Sequence, residues 1–216
     1  MQVKSSLLTI SFVLLLAFLN ISAESLDTST YSPMEKIKYI DKLFEGYAVK
    51  HKGQTLTSAQ QQKNLSIKRE IIYKHFEMSE LCRLSMDKHW KPLSATQRKE
   101  FVDVFTKLIV KNAVLASEKY TGEQVVSYQK EEYLNKEKTR ARVVTTVYVE
   151  DEDVDVTVTY LLIKTKSGWR IYDIIMDDVS LMENYKAQFD RIITSSSYQN
   201  LLTKMRKKLA TGSQEL

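Results

Sequence analysis

The fold of this chain is decided by the stretch from 139 to 176, which reads TRARVVTTVYVE (139–150), VDVTVTYLLIKT (154–165) and WRIYDIIM (169–176). β-Branched and aromatic residues alternate there with polar ones, which is the pattern of half-buried β-strands. A fourth run of this type, 123–134, precedes them, and the connections at 135–138, 151–153 and 166–168 are short and polar. Turns this short join antiparallel neighbours, so the pattern predicts a four-stranded antiparallel meander.

Helical periodicity replaces the strand pattern before the sheet. Apolar residues recur at three- and four-residue spacing from Pro33 to Tyr47 and again from Leu65 to Trp90. The polar stretch between them, 51–63, reads as a loop or a weak helix start. A capping box at Ser94–Gln97 then opens a long helix, which we expect to end near Tyr120.

Helices also follow the sheet. A second capping box spans Ser180 to Glu183, and a last helix carries the residues from Tyr198 to Leu209. Helices on both sides of an antiparallel sheet in the chain indicate the α+β class. We therefore predict N-terminal helices, a four-stranded curved antiparallel sheet and C-terminal helices, with the helices packed on one face of the sheet.

The first residues read as a secretion signal. Lys4 supplies a positive charge, Leu7 to Leu19 form an almost unbroken apolar run, and Ile21-Ser22-Ala23 is a small-residue cleavage site. We divide the chain into a signal peptide at 1–23 and a single domain at 24–216, and we expect the domain to be exported and soluble. An uncleaved N-terminal anchor is the alternative. Loss of Lys4 lowers the formal net charge from +5 to +4.

Several catalytic and metal sites can be tested by counting residues. Five isolated glycines form no G-x-S-x-G elbow, no G-x-G-x-x-G loop and no P-loop. His51, His75 and His89 have no partner at the short spacings that metal ligands require, so we expect no metal site. The single cysteine, Cys82, fits a buried and inert helix position better than a reactive thiol. A Cys82 nucleophile paired with His75 or His89 is the catalytic alternative.

Two charged features have both a structural and a functional interpretation. Asp173 lies within an otherwise apolar strand, where it is either a general base or an acceptor of hydrogen bonds from a helix terminus or an arginine. We favour the acceptor. The basic residues at 204–208 lie at a helix end, where cations complement the helix dipole, and the predicted export makes nucleic acid an improbable partner. A solvated face is the simplest interpretation of this tail, and a contact with a membrane surface or a protein partner is its functional alternative.

The stretch from His75 to Leu209 resembles the periplasmic phospholipid-binding proteins of the MlaC or toluene-tolerance family. The motifs that carry the resemblance are HFEM (75–78) with KHW (88–90), LSATQRKEF (93–101), GWRIYDI (168–174), DVSL (178–181) and NYKAQF (184–189). This chain departs from the family pattern at Lys186, where arginine is common, and at Met86-Asp87-Lys88, where a glycine is usual. It also lacks the usual aspartate near His75.

The resemblance implies an apolar cavity between the sheet and the helices. It implies a monomeric carrier, without enzymatic activity or a cofactor, that shuttles phospholipid in the periplasm between an outer-membrane lipoprotein complex and an inner-membrane ABC transporter complex. Another apolar ligand, such as a sterol-like lipid, and an enzyme with Asp173 as base are the alternatives. By pattern alone, an ordinary filled core would suit the same side chains. We predict as wall residues Phe105, Ile109, Val147, Tyr160, Leu162, Trp169, Ile171, Tyr185 and Phe189.

Overall fold

The computed structural model describes residues 27–44, 47–51, 53–117 and 122–211, with the backbone alone for 113–117. The predicted signal peptide at 1–23 and the expected helix end near Tyr120 lie outside these residues. The helices and strands in chain order are α1 (Pro33–Lys42), α2 (Ser58–His75), α3 (Met78–Met86), α4 (Ala95–Ser117), β1 (Gln124–Tyr133), β2 (Arg140–Val149), β3 (Val154–Thr165), β4 (Gly168–Met176), β5 (Val179–Ser180), α5 (Leu181–Ser195) and α6 (Tyr198–Thr211).

The sheet is an antiparallel meander in which the strands follow chain order, β1-β2-β3-β4-β5. The predicted α+β class and the meander are confirmed. The prediction of four strands was wrong by one, because β5 has only two residues and a strand so short leaves no alternating pattern. Its residues pair with the end of β4, directly before α5 begins.

One face of the sheet, here called the inner face, is buried along β2 and β3. Alternate residues of β2 are buried while those between them are half-exposed, as expected for a strand with one face against a core. The register places alternate residues of β3 beside them, so the inner face is continuous across the two strands. Its buried members on β2 and β3 are Ala141, Val143, Thr145, Val149, Val156, Val158 and Leu162.

The helices supply a closely packed aromatic core. Phe105 of α4 lies with its ring centroid 4.7 Å from Tyr185 and 5.1 Å from Phe189, both on α5. Phe101 lies 5.5 Å from Phe189 in an edge-to-face arrangement. Ring pairs at these distances bury large apolar surfaces and also gain from their relative orientation. This cluster fixes α4 against α5.

Two helix boundaries differ from the sequence prediction. The helix that begins at Pro33 ends at Lys42 rather than continuing to Tyr47, because Leu43 and Phe44 donate to carbonyls three residues back and so close the last turn. The second helix begins at Ser58, inside the stretch assigned to a loop or weak helix start. A capping box between Thr57 and Gln60 starts it.

The segment from Leu65 to Trp90 contains a break, at Phe76 and Glu77, between α2 and α3. Phe76 forms a parallel bridge with Ile171 of β4, and the Glu77 N–H donates to the Ile171 carbonyl at 2.7 Å. The Arg170 guanidinium donates to the carbonyls of Tyr73, Lys74 and Phe76. The arginine thereby satisfies backbone acceptors that the end of α2 leaves without helical partners.

His75, the last residue of α2, is buried at this junction. It is 8% exposed, and its ring lies edge-on to Tyr39 of α1 with 5.7 Å between the ring centroids. Burial, together with the charges of Lys36 and Arg170, lowers the pKa of His75 from 6.5 to about 4. The imidazole is therefore neutral in the folded protein at neutral pH.

We expect the stability of the fold to decrease as the pH falls from about 6.5 to about 4. Between these pH values the unfolded chain binds a proton at His75 while the folded chain does not, so protonation favours the unfolded state. The neutral His75 therefore imposes no penalty on the free energy of unfolding above pH 6.5, and the penalty grows as the pH falls toward 4. Urea unfolding at several pH values measures it. The His75→Gln variant should show a flatter pH dependence, and an unchanged profile would contradict this role for His75.

Within the part of the chain that the structure describes, no helix is both long enough and apolar enough to cross a membrane.

Candidate functional site

A cavity of about 570 Å³ opens between the inner face of the sheet and the first two helices. Its volume lies within the range of about 300–1,000 Å³ that is typical of small-molecule sites. Its walls come from the end of α1, the segment 47–50, one side of α2 and the start of β1. The lining residues are Asp41, Phe44, Tyr47, Ala48, Val49, Lys50, Leu56, Gln61, Asn64, Leu65, Lys68, Gly122, Glu123, Gln124, Val126, Val147 and Tyr160.

The sheet wall of the cavity consists of residues on a single face. Val126 of β1 pairs with Val147 of β2, and Tyr160 of β3 pairs with Val143 of β2. Since side chains of a strand alternate between its faces, this register places Val126, Val147 and Tyr160 on the inner face together. Beside them lies a second apolar cluster formed by Val149, Val156 and Val158. The apolar surface of the cavity is thus continuous with the core of the sheet.

Asn64 of α2 holds the segment 47–50, which forms the wall opposite the sheet. The Ala48 N–H donates to Asn64 Oδ1 at 2.8 Å, and Asn64 Nδ2 donates to the Ala48 carbonyl at 2.9 Å. The side-chain amide therefore satisfies both backbone groups of Ala48, as a neighbouring strand would. Asn64 is buried, so the pair is shielded from water. This contact holds the segment 47–50 away from the sheet, with the cavity between them.

Gly122 joins the same segment to the start of β1. Its N–H donates to the Lys50 carbonyl at 2.8 Å, and its φ of +83° lies in the region that favours glycine. A β-carbon at this position would lie 2.6 Å from both the backbone nitrogen and the carboxyl carbon of Asp151. Only glycine lets the turn after β2 approach so closely.

The cavity also has a polar group at its α1 wall. The Tyr128 hydroxyl donates a short hydrogen bond to Asp41 Oδ2. Burial raises the pKa of the Asp41 carboxyl, and the hydrogen bond from Tyr128 partly opposes the shift. Burial and the nearby Asp41 carboxyl raise the pKa of the Tyr128 hydroxyl. The contact ties the end of α1 to β1.

Lys68 adds a positive charge to the α2 wall. Its ammonium lies 5.1 Å from the centre of the Tyr47 ring, within the range of a cation–π contact. The residue is 9% exposed, so its charge is largely shielded from water. Lys68 and Lys50 are the lysines of the lining, and Asp41 and Glu123 are its carboxylates. Apolar walls with a few polar groups are characteristic of ligand sites.

The predicted wall residues fall into two groups. Val147 and Tyr160 line the cavity. The other seven lie in the packed core and are absent from the described lining. They are Phe105, Ile109, Leu162, Trp169, Ile171, Tyr185 and Phe189.

The residues that sequence reasoning missed belong to the end of α1 and to α2. Their spacing predicts Phe44 and Tyr47 as part of a helical stripe, but both lie beyond the end of α1 and line the cavity. Asn64 and Lys68 share one side of α2, as their spacing of four residues allows. The capping box between Thr57 and Gln60 was the sequence signal that could have placed these residues on α2, because it starts the helix early enough to include Gln61 and Asn64.

Asp173 acts as a helix cap. Its Oδ1 accepts from the Met182 N–H at 2.9 Å and from the Ile174 N–H, and its Oδ2 accepts from the Ser180 hydroxyl at 2.6 Å. Burial raises the pKa of the Asp173 carboxyl, and these hydrogen bonds oppose the shift. The side chain thus connects β4 to the first turn of α5, in agreement with the favoured interpretation of an acceptor at a helix terminus.

The other candidate groups are also engaged in the fold. Cys82 is completely buried, and burial raises the pKa of its thiol. His89 Nε2 lies 2.8 Å from Asp190 Oδ1. Within the ranges that the structure describes, no three His, Cys, Asp or Glu side chains lie close enough together to hold a metal ion.

The sequence and the fold of this chain both match known proteins. The cavity beside the packed core has the size and the mixed apolar and polar lining of a small-molecule site. The model of the MlaC protein family matches residues 40–207, so the chain belongs to the MlaC family. No curated protein matches the chain significantly.

Among solved structures, the fold is shared with a phospholipid-binding protein from Ralstonia solanacearum, determined in complex with a phospholipid. The two chains are 20% identical with a TM-score of 0.68, and the match covers 83% of this chain and 98% of the other.

Two departures from the family motifs lie together in the structure. Asp87, in the stretch Met86-Asp87-Lys88 that departs from the family pattern, has a φ of +45°, in the region that favours glycine. Lys186, in place of the common arginine, lies with its ammonium 3.6 Å from Asp87 Oδ2. The ammonium of Lys186 therefore faces the Asp87 carboxylate.

We expect replacement of Asp173 to lower stability. In Asp173→Ala, the Met182 N–H and the Ser180 hydroxyl lose their acceptor in a buried setting, which costs about 2–3 kcal/mol of unfolding free energy. Asp173→Asn keeps one acceptor oxygen and should cost less. Urea unfolding measures both, with Asp103→Ala, at an exposed ion pair, as control. Equal stability of the two Asp173 variants would contradict the capping role.

We expect Asn64→Ala to release the segment 47–50. Both backbone groups of Ala48 lose their partner, so the unfolding free energy should fall by about 1–3 kcal/mol. The Ala48 amide should also exchange with solvent deuterium faster than in the unmodified protein. The exposed neighbour Lys63→Ala is the control on the same helix. Unaltered exchange at Ala48 in Asn64→Ala would show that another contact holds the segment.

Proposed function

We propose that this protein is a periplasmic lipid carrier that binds a phospholipid by its acyl chains and moves it between an outer-membrane complex and an inner-membrane ABC transporter complex. The observation that carries the proposal is the unfilled cavity beside the inner face of the sheet. If a methylene occupies roughly the volume share of a water molecule, about 30 Å³, the cavity holds about 20 methylenes, enough for one acyl chain. Membership of the MlaC family and the lipid complex of the Ralstonia protein support the same function.

Physical chemistry explains why such a lipid needs a carrier. A two-chain lipid has about 30 methylenes, each worth about 0.8 kcal/mol when removed from water, or about 24 kcal/mol in total. Escape from a membrane into water is therefore extremely slow. A protein that covers the chains with apolar surface removes most of this cost, while the polar head group remains in water. No bond is made or broken in such an exchange.

The signal-peptide pattern at 1–23 supports a site of action outside the cytoplasm, with the mature domain beginning near Glu24. The family and the lipid-bound neighbour point to binding or transport rather than catalysis. The hydrogen bonds of Asp173 favour the same conclusion, because they assign this carboxylate a structural role.

We expect protein purified from cells to carry lipid and a cavity-filling variant to lose it. Val147→Trp places a large ring in the cavity, so mass spectrometry of an organic extract should find at least several-fold less lipid per protein. Thr146→Trp is the matched control, because Thr146 is the preceding residue of β2 and points to the other face. Circular dichroism verifies that both variants fold.

Three outcomes of this experiment would contradict parts of the proposal. Unmodified protein that is always empty, and that takes up no labelled phospholipid, would exclude the carrier function. Equal lipid content in Val147→Trp and Thr146→Trp would place the ligand elsewhere. Extraction of a sterol-like lipid alone would keep the carrier but change its cargo.

A further inference from the structure

The two ends of the sheet carry opposite charge. At one end lie the turns from β1 to β2 and from β3 to β4, which contain Lys136, Lys138 and Lys166. The other end, here called the acidic end, comprises the start of β1, the β2–β3 turn with the residues next to it, and the β4–β5 turn. Its carboxylates are Glu123, Glu150, Asp151, Glu152, Asp153, Asp155, Asp177 and Asp178. This concentration stands out in a chain with a formal net charge of +5.

Most of these carboxylates have no basic neighbour. His51 Nδ1 lies 3.8 Å from Asp151 Oδ2, and Lys50 is close to the same turn. Across the residues that the structure describes, no basic side chain lies within 4.0 Å of the carboxylates of Glu123, Glu150, Asp153, Asp155, Asp177 and Asp178. The acidic end therefore presents a concentrated negative potential to solvent.

Turn geometry accounts for only some of the acidic residues. Asp153, Asp177 and Asp178 have φ values of +52°, +44° and +66°, which aspartate tolerates better than most residues. The backbones of Glu123, Glu150 and Asp155 lie outside that region. The negative charge at these positions therefore needs an explanation other than backbone conformation.

Apolar side chains are exposed among the carboxylates. Val154, Met176 and Val179 are 42%, 48% and 60% exposed, although all three lie in strands of the sheet, Val179 in the edge strand β5. Met176 pairs with Val179 across β4 and β5, and Val154 is the first residue of β3. Exposed apolar residues with a polar surround are the usual composition of a protein interface.

The acidic end borders the lipid cavity. Glu123 and Gly122 line the cavity, and the Glu150 N–H donates to the Glu123 carbonyl at 3.0 Å. Asp177 lies against β3 on the other side, where its Oδ1 accepts from the Thr157 N–H at 3.1 Å. A partner on this surface would therefore stand next to the site from which the lipid must leave.

We propose that the acidic end is the docking surface for a protein partner whose contact surface is rich in lysine and arginine around an apolar centre. The inference rests on the proposed carrier function. The negative potential attracts and orients a basic surface, and the exposed valines and methionine provide the contact that excludes water. The same charge repels anionic lipid surfaces. Lipid then passes to a docked basic protein in preference to a bare anionic membrane.

Lipid transfer to defined vesicles tests the docking surface. Full-length mature protein loaded with fluorescent phospholipid is mixed with vesicles of phosphatidylcholine, of phosphatidylcholine with phosphatidylglycerol, or of phosphatidylcholine that displays a tethered lysine-rich amphipathic peptide. We expect transfer at low salt to be about tenfold faster to the peptide vesicles than to plain ones, and slowest to the phosphatidylglycerol vesicles. Added salt should remove the differences.

Two triple variants separate this surface from general charge effects. Glu150→Gln with Asp155→Asn and Asp178→Asn should lose the acceleration by the peptide. The control, Glu70→Gln with Asp103→Asn and Glu137→Gln, removes the same number of exposed carboxylates elsewhere and should keep it. Unmodified protein, both variants and their extracted lipid are measured side by side.

The outcomes distinguish the two proposals. Full acceleration in the acidic-end variant would overturn the docking surface, even with lipid bound normally. Fastest transfer to phosphatidylglycerol vesicles by the unmodified protein would identify a membrane as the occupant and also overturn it. Protein that never loads phospholipid would instead overturn the carrier function. If only the acidic-end variant loses the faster transfer to peptide vesicles, and its lipid content is normal, the result supports both the docking surface and the carrier function.

Discussion

The cavity depends on one constraint: the segment 47–50, which lies between α1 and α2 in the chain, is held at a distance from the sheet. Asn64 satisfies both backbone groups of Ala48, and the Gly122 N–H binds the Lys50 carbonyl. Because these backbone groups already have hydrogen-bond partners, the segment does not need to approach the sheet to satisfy them. The side chains of Ala48 and Val49 are too short to fill the gap. The space between this segment and the inner face therefore stays unfilled, and every functional conclusion follows from that space.

The solid core and the cavity divide the inner face between them. In the packed part, the rings of Phe101 and Phe105 on α4 and of Tyr185 and Phe189 on α5 contact one another in edge-to-face and tilted pairs. In the open part, α1 ends at Lys42 and Val147 lines the cavity. The packed core can keep the sheet rigid while a ligand enters and leaves the cavity. A carrier requires both properties, because loss of cargo must not unfold the protein.

Charge is distributed unevenly between the two ends of the sheet. The cavity lies next to the carboxylates of the β2–β3 and β4–β5 turns, and the lysine-bearing turns lie at the far end. A formal net charge of +5 describes the whole chain but not this surface. The electrostatic potential beside the cavity is set by the nearest groups, since salt screens charges beyond about 8–10 Å.

The sequence alone determined four of the five strands, the meander and most helix boundaries, because period-two alternation, short turns and capping boxes are local signals. It also indicated Asp173 as a structural acceptor, since a lone acid in an apolar strand needs hydrogen-bond donors. Only the tertiary structure decided which part of the inner face is open. Leu162 and Val147 have the same alternation in their strands, yet one lies in the packed core and the other lines the cavity. That difference depends on where α1 ends and on a side-chain amide from α2, and neither leaves a trace in the strands themselves.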